Sequence, residues 1–220
     1  MASKRRGILS WLAGAFPATR QRRRRIVDYA RAWEAANERV GTETGPLWVV
    51  LGDSTAQAIG ADSYDHGYVG QVLDALRRHD GRVWRAVNLS QSGALAIDVV
   101  EEQLPGLDQI GAPDLVSCAV GSNDLLRRTT TFEAALAEIA RALPVGALLA
   151  NLPRGLRERR AQQVNGYIER VAREHRLRLV DLWSTTGPPW GDKFSADRFH
   201  PNEVGYRDWT TAFCAALGIK

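Results

Sequence analysis

The sequence contains little of several residue types and motifs that would mark other classes of protein. Its two cysteines, Cys118 and Cys214, do not make a disulfide framework. No group of His, Cys and Asp has the spacing of metal ligands, and no glycine-rich loop is present to cradle a phosphate. No apolar stretch is long enough to span a bilayer. We therefore expect no metal, no cofactor and no disulfide-dependent fold.

Acidic residues are absent from the first 25 positions, although these carry eight of the 29 basic residues. The rest of the chain holds 21 basic and 25 acidic residues, so the net charge of +4 comes from the N-terminal arm. A pI near 9.4 therefore does not indicate a nucleic-acid-binding domain, because the globular body is slightly acidic. We expect no nucleic-acid partner.

The basic arm, residues 1–25, has three interpretations. It is typical of a flexible basic tail. Trp11 and Phe16 among arginines also indicate a weak contact with an acidic membrane surface. The short apolar stretch 7–16 after three basic residues resembles a weak signal peptide, although the arginine block that follows resists export. We expect a flexible arm on a cytoplasmic protein, with membrane-peripheral placement and export as the alternatives.

From residue 26 onwards, apolar runs alternate with amphipathic stretches. The runs suit strands that are buried on both faces; they cover residues 47–51, 83–89, 114–120, 147–152 and 177–182. Between them, apolar residues recur at helical spacing, and helices are expected over residues 25–40 and 204–217 as well. Strands separated by helices imply a parallel sheet with right-handed crossovers. No repeat or linker interrupts the pattern, so residues 26–220 are expected to form a single α/β domain.

Polar segments follow several of the predicted strands. Ser54 comes after the first strand, Gly93 after the second and Asn123 after the third, while Asp197 and His200 lie in a long loop after the fifth. In an open parallel sheet the carboxyl ends of the strands form one rim, and ligands bind there. We therefore expect these segments to converge.

Ser54, His200 and Asp197 have the chemistry of a nucleophile, its base and an orienting acid. A serine hydroxyl is a weak nucleophile that needs a neighbouring base to take its proton. Asp197, three residues before His200, could hold the imidazole in the useful tautomer. His66 lies in a loop and stays an alternative base.

Three groups could stabilise the oxyanion of a tetrahedral intermediate. They are the backbone N–H of Ser54, the backbone N–H of Gly93 and the side-chain amide of Asn123. Glycine suits a position where the backbone approaches a substrate closely. Asp53, beside the serine, is expected to hold the turn.

Four segments resemble, in order and approximate spacing, the sequence blocks of the SGNH hydrolases, also called GDSL-type esterases and lipases. The segments are Gly52–Ser54, Asn88–Gly93, Gly121–Asp124 and Asp197–His200. The resemblance implies a flavodoxin-like three-layer α/β/α sandwich with a five-stranded parallel sheet. The serine block reads Gly-Asp-Ser-Thr and so departs from Gly-Asp-Ser-Leu. Many members of the esterase branch resemble this sequence in that departure.

The same resemblance implies a function. Members of the family hydrolyse esters and thioesters through an acyl-enzyme, so a small-molecule acyl ester is the expected substrate. Ser54 would be the nucleophile and first oxyanion donor, with Gly93 and Asn123 as the other donors. Asp197 and His200 would complete the catalytic triad.

Two other functions stay open. In one, the arm delivers a membrane-associated lysophospholipase to lipid; in the other, the strand ends form a non-catalytic ligand-binding module.

Two smaller features of the sequence also have two interpretations each. The arginine run over residues 154–160 predicts a solvated helix start, or contact with an anionic ligand. Trp183 and Trp190 predict core packing, or contact with substrate.

Overall fold

A sheet of five parallel strands forms the centre of the molecule in the computed structural model, which describes residues 17–41 and 44–219. The strands are β1 (Leu47–Gly52), β2 (Arg85–Asn88), β3 (Leu115–Ala119), β4 (Leu148–Ala150) and β5 (Arg178–Val180). Their spatial order is β2-β1-β3-β4-β5, which is the flavodoxin-like order. Every pairing is parallel, with Val50 opposite Asn88 on one side and Ser117 on the other. The predicted fold class is confirmed.

Helices connect the strands and cover both faces of the sheet. They are α1 (Pro17–Val40), α2 (Tyr68–Asp80), α3 (Ala96–Asp98), a π-helical turn (Val99–Gln103), α4 (Leu104–Ile110), α5 (Ser122–Arg127), α6 (Phe132–Ala142), α7 (Glu158–Glu174), α8 (Leu182–Thr185) and α9 (Glu203–Leu217). Within the described residues, no helix combines the length and apolarity needed to cross a bilayer.

The N-terminal helix starts earlier than the sequence pattern predicts. Residues 17–25, assigned to the basic arm, belong to α1. Tyr29 Oη and Arg25 Nη1 of this helix donate hydrogen bonds to Ala61 O at 2.9 and 3.0 Å, so the helix is tied to the loop that follows β1. Residues 1–16 lie outside the described residues, and with them most of the arm on which the membrane and export alternatives depend.

The helical segment between β2 and β3 is not indicated by a regular apolar period. Its buried side chains Val99 and Leu104 are five residues apart, because the π-helical turn inserts one extra residue between successive contacts with the core. Pro105 and Gly106 follow at once and further weaken a helical pattern. The segment nevertheless covers one face of the sheet.

Side chains of β1 alternate between two hydrophobic cores. Val49 and Leu51 belong to the core beneath α4, α6 and α7, whereas Trp48 and Val50 belong to the core beneath α2 and α9. All four are fully buried, as expected for a central strand covered on both faces. The burial of each aliphatic side chain contributes about 1.5–3 kcal/mol.

Three carboxamide side chains bind the backbone at or just beyond the carboxyl ends of strands. In each case the amide oxygen accepts the N–H of one backbone residue, and the amide nitrogen donates to the C=O of the same residue. The pairs are Asn37 with Asn88, Gln103 with Gly52, and Asn165 with Leu152, with distances from 2.7 to 3.0 Å. Each amide bonds a backbone N–H and C=O as a neighbouring strand would, and so helps to satisfy buried backbone polar groups.

An aromatic cluster packs α9 against α2. The ring of Tyr68 stacks on Phe213 at 4.7 Å and on Trp209 at 5.4 Å, and Tyr206 lies 6.3 Å away. Tyr206 Oη donates to Ile59 O at 2.8 Å, whereas Tyr68 Oη has no hydrogen-bond partner among the described residues. The two buried tyrosines therefore differ in what their hydroxyl groups contribute.

This difference predicts opposite effects for two matched substitutions. Tyr68→Phe should leave the free energy of unfolding unchanged or raise it by up to about 1 kcal/mol, because it removes a buried hydroxyl without a partner. Tyr206→Phe should lower it by about 1–2 kcal/mol, because Ile59 O loses its donor. Urea unfolding of both variants measures the difference. Equal destabilisation by the two substitutions would contradict the assignment.

Candidate active site

The nucleophile candidate Ser54 lies in the turn that follows β1. Gly52 ends the strand with a φ of 153°, and a Cβ built there would lie 2.5 Å from Ala119 O. Only glycine allows this approach of β1 to β3. Asp53 Oδ1 accepts hydrogen bonds from the backbone N–H and the hydroxyl of Thr55 at 2.9 and 2.8 Å, so it holds the turn as predicted.

Ser54, His200 and Asp197 form a continuous hydrogen-bonded chain. Ser54 Oγ lies 2.9 Å from His200 Nε2, and His200 Nδ1 lies 2.6 Å from Asp197 Oδ2. The carboxylate can only accept, so Nδ1 carries a proton and the unprotonated Nε2 of the neutral ring accepts from the serine hydroxyl. His200 is 1% exposed, and the ring of Phe199 meets it edge-on at 4.7 Å. The imidazole is thereby held in the orientation that general-base chemistry requires.

Asp197 is fixed by the loop that carries it. Its Oδ1 accepts from Ser195 Oγ at 2.8 Å and from the backbone N–H groups of Phe199 and His200, each at 2.9 Å. Burial acts to raise the pKa of Asp197, but the hydrogen bond and charge of His200 and the two backbone donors outweigh it and hold the pKa below its ordinary value. The carboxylate therefore stays ionised beside the imidazole.

A glycine allows the serine loop and the histidine loop to touch. A Cβ at Gly60 would lie 2.1 Å from Pro201 O and 2.8 Å from His200 Cβ, and its φ is 113°. The neighbouring Ile59 O accepts the hydroxyl of Tyr206 from α9. The two loops are therefore in direct contact at the point where the catalytic histidine candidate sits.

The two other oxyanion-donor candidates lie beside the serine turn. Asn123 Nδ2 donates to Ala94 O at 3.0 Å and lies 3.5 Å from Asp53 Oδ2, so the α5 side chain reaches both the turn and the Gly93 segment. Gly93 has a φ of 87°, which glycine adopts without strain. Ser54, Asn123 and His200 thus line one cavity, Asp197 is hydrogen-bonded to His200, and Gly93 precedes Ala94, whose C=O accepts the Asn123 amide.

Two buried glutamines support the site and are not predicted from the sequence. Gln57 donates to Ser90 O at 2.9 Å and accepts from Ser92 Oγ at 2.6 Å, which ties the serine turn to the Gly93 segment. Gln103 holds both backbone groups of Gly52 and is 1% exposed. A polar residue in the middle of a buried helix would have indicated Gln103. That indication requires the helix to be predicted first, and the sequence pattern does not predict it.

The alternative base His66 is not part of this arrangement. Its Nδ1 lies 2.6 Å from Asp62 Oδ1, and both side chains are more than half exposed. The hydrogen bond that His66 donates to Asp62 raises the pKa of His66, as expected for an exposed ion pair. His200 is the histidine that contacts Ser54.

A cavity of about 160 Å³ opens beside Ser54. Its aromatic walls are Trp190, Phe194, Phe199 and Trp209, and its ionisable lining residues besides His200 are Asp53, Arg154, Lys193, Arg198 and Asp208. Trp190 therefore lies in the cavity wall, whereas Trp183 packs against the core. In the described part of the chain, no three His, Cys, Asp or Glu side chains are grouped as metal ligands.

Residues 50–207 match the sequence model of the GDSL-like lipase/acylhydrolase family. The chain belongs to this family. It is accordingly a carboxylic ester hydrolase, and the resemblance noted in the sequence is confirmed. A comparison with curated protein sequences gave no significant match.

Solved structures of similar fold accompany the family match. TesA is 27% identical with a TM-score of 0.67, over 78% of this chain and 97% of its own. LAE5, an α/β hydrolase enzyme from the metagenome of Lake Arreo, Spain, is 25% identical with a TM-score of 0.65, over 80% and 96% of the two chains. Axe2, an acetylxylan esterase from Geobacillus stearothermophilus, is 20% identical with a TM-score of 0.64 over the same shares, and supports the fold alone.

The buried carboxyl of Asp53 predicts a pH-dependent gain in stability for Asp53→Asn. Burial raises the pKa of Asp53, and the hydrogen bonds from Thr55 offset this only in part. Below a pH of about 4 the carboxyl is protonated in both the folded and the unfolded state, so it has no effect. As pH rises from there through the native pKa, the wild type loses stability that the uncharged amide retains.

Urea unfolding at several pH values between about 4 and 7 measures this gain. The difference in unfolding free energy between Asp53→Asn and the wild type should grow with pH in favour of the variant. Asp108→Asn removes one charge from the exposed face of α4 and serves as the control. A difference for Asp53→Asn that stays constant or shrinks with pH would show that burial does not raise the native pKa.

Proposed function

We propose that the protein is a serine esterase that works through an acyl-enzyme, with Ser54 as nucleophile, His200 as general base and acid, and Asp197 as the residue that orients His200. The observation that carries the proposal is the hydrogen-bonded chain from Ser54 Oγ to His200 and on to Asp197. Its distances are those of a nucleophile activated by an adjacent base that a third group holds in place.

The proposed reaction has two steps. Ser54 Oγ attacks the acyl carbonyl carbon while its proton passes to His200 Nε2; the C–O or C–S bond then breaks, and the leaving alcohol or thiol takes that proton. Water next attacks the acyl-enzyme, with His200 again accepting the proton, and the acid is released as Ser54 regains its hydrogen. No external oxidant or reductant takes part.

We assign the oxyanion hole to the backbone N–H groups of Ser54 and Gly93 and to Asn123 Nδ2. The support is that Asn123 lines the same cavity as Ser54, with its Nδ2 held between Asp53 and Ala94. Such donors are aimed before the reaction begins, and they stabilise the negative charge that forms on the carbonyl oxygen. A small-molecule ester is the substrate that the cavity beside Ser54 would admit.

Covalent labelling tests the nucleophile. Wild-type protein should react with a fluorophosphonate probe and hydrolyse a short-chain aryl ester, and mass spectrometry should locate the label on Ser54. Ser54→Ala should lose labelling and lower kcat by about 10⁴-fold or more. Ser63→Ala, in the exposed loop beside His66, is the control and should label like the wild type. Wild-type protein that neither labels nor turns over the ester would instead favour the non-catalytic binding module.

Removing the side-chain donor tests the oxyanion hole. Asn123→Ala should lower kcat by about 10²–10³-fold with little change in KM, because the lost interaction forms mainly in the transition state. Steady-state kinetics on a short-chain aryl ester measure the split between the two constants. Urea unfolding of the same variant controls for a collapsed site. A kcat within about threefold of the wild type would remove Asn123 from the oxyanion hole.

A further inference from the structure

Two arginines at the active-site cavity make no salt bridge in the described part of the chain. Arg154, after β4, and Arg198, inside the loop that carries His200, both line the cavity and are both exposed. They come from segments far apart in sequence, yet the fold places them around the same opening as Ser54. The placement gives the cavity two cationic groups that can meet a ligand.

The other charged groups of the cavity do not cancel these two. Lys193 Nζ lies 2.8 Å from Asp208 Oδ2, so this cation and this anion neutralise each other. Asp53 is 3% exposed and accepts hydrogen bonds within the serine turn, and its buried position favours the uncharged acid. Asp197 is held behind the His200 ring by its own loop. Positive charge therefore dominates the surface that a ligand would meet.

Arg154 is held ready to bind an anion. Its Nε donates to Trp183 O at 3.0 Å, and its guanidinium carbon lies 5.3 Å from the centre of the Trp183 ring. Its backbone N–H donates to Thr186 Oγ1 at 2.9 Å. The two terminal nitrogens make no hydrogen bond to any described residue. A guanidinium that is immobilised on an aromatic ring with its outer edge open is suited to carboxylate or phosphate.

Arg198 occupies an unfavourable backbone conformation. Its φ is 54°, a left-handed value that glycine adopts far more readily, and its backbone N–H donates to Ser195 O at 2.9 Å in the same tight turn. A long cationic side chain is thus kept two residues from His200 at a position that would favour glycine. Arg128, Arg157 and Arg176 share this conformation, so what distinguishes Arg198 is its place at the cavity beside the histidine loop.

Building on the proposed esterase function, we propose that Arg154 and Arg198 bind an anionic group of the substrate, so that the enzyme acts on esters that carry a carboxylate or a phosphate near the scissile bond. The anionic group takes no part in bond making; it positions the ester while Ser54 attacks. Each charge-assisted hydrogen bond of this kind is strong enough to change binding about tenfold or more.

Two matched pairs of substrates test the proposal and separate the two sources of charge. The first pair is the mono-4-nitrophenyl ester of adipic acid and its terminal carboxamide, which differ only in the charge at the end of the acyl chain. The second pair is acetylated glycerol 3-phosphate and acetylated glycerol. At low ionic strength we expect kcat/KM of the wild type to favour the anionic member of at least one pair by about tenfold or more.

Variants at the two arginines establish whether they cause the preference. The double variant Arg154→Gln, Arg198→Gln should lower the anionic-to-neutral ratio of kcat/KM by about tenfold or more. The double variant Arg154→Lys, Arg198→Lys should retain part of the ratio, because it keeps the charge but loses the planar geometry. Arg141→Gln is the control, since Arg141 is exposed in the last turn of α6 and does not line the cavity, and it should keep the wild-type ratio.

The outcomes distinguish this proposal from the proposed function. A preference in the first pair places the anion on the acyl side, and a preference in the second places it on the alcohol side; both support the proposal. Neutral esters hydrolysed as well as anionic ones, or a ratio that the glutamine variants do not change, would overturn it and leave the esterase standing. Wild-type protein that hydrolyses none of the four esters and is not labelled at Ser54 would overturn both.

Discussion

The contact between the serine loop and the histidine loop is the constraint on which the rest of the site depends. Ser54 and His200 are 146 positions apart, and their 2.9 Å hydrogen bond exists only because Gly60 leaves room for the backbone of the histidine loop. Tyr206 binds the same stretch from α9, and α9 in turn packs on α2 through stacked aromatic rings. The hydrophobic core beneath α9 thus sets the position of the histidine, and a shift of about 1 Å there would disturb the chemistry.

Buried amide side chains give the rim of the sheet its rigidity. At or just beyond the ends of three strands, the backbone N–H and C=O of one residue are both held by one carboxamide. A parallel sheet offers no partner for backbone groups where its strands diverge, and unpaired groups there would cost about 1–3 kcal/mol each. The amides remove that cost and fix the segments that carry Ser54 and Gly93. The backbone is therefore held in place where reacting groups must be aimed, while Arg154 and Arg198 at the cavity remain exposed to a ligand.

The strands and the four sequence blocks could be predicted because their signals are local. Continuous apolar runs mark strands covered on both faces, and strand ends followed by polar residues mark the rim. The segment from Ala96 to Ile110 could not be predicted, because its π-helical turn breaks the usual helical spacing. The role of Gln103 could not be predicted either, because Gln103 belongs to this segment. The pairing of His66 with Asp62 could not be predicted either. The structure shows that this pair is exposed, whereas His200, paired with Asp197, is buried and contacts Ser54.

The sequence by itself determined the fold class, the family and the candidate residues for the site, because these depend on residue types at fixed spacing along the chain. The tertiary structure alone decided which histidine meets Ser54, which tryptophan lines the cavity, and which charges around it are left unpaired. Those outcomes depend on side chains that meet across more than a hundred positions, such as Tyr206 with Ile59. Long-range packing sets such distances, and no local pattern records it.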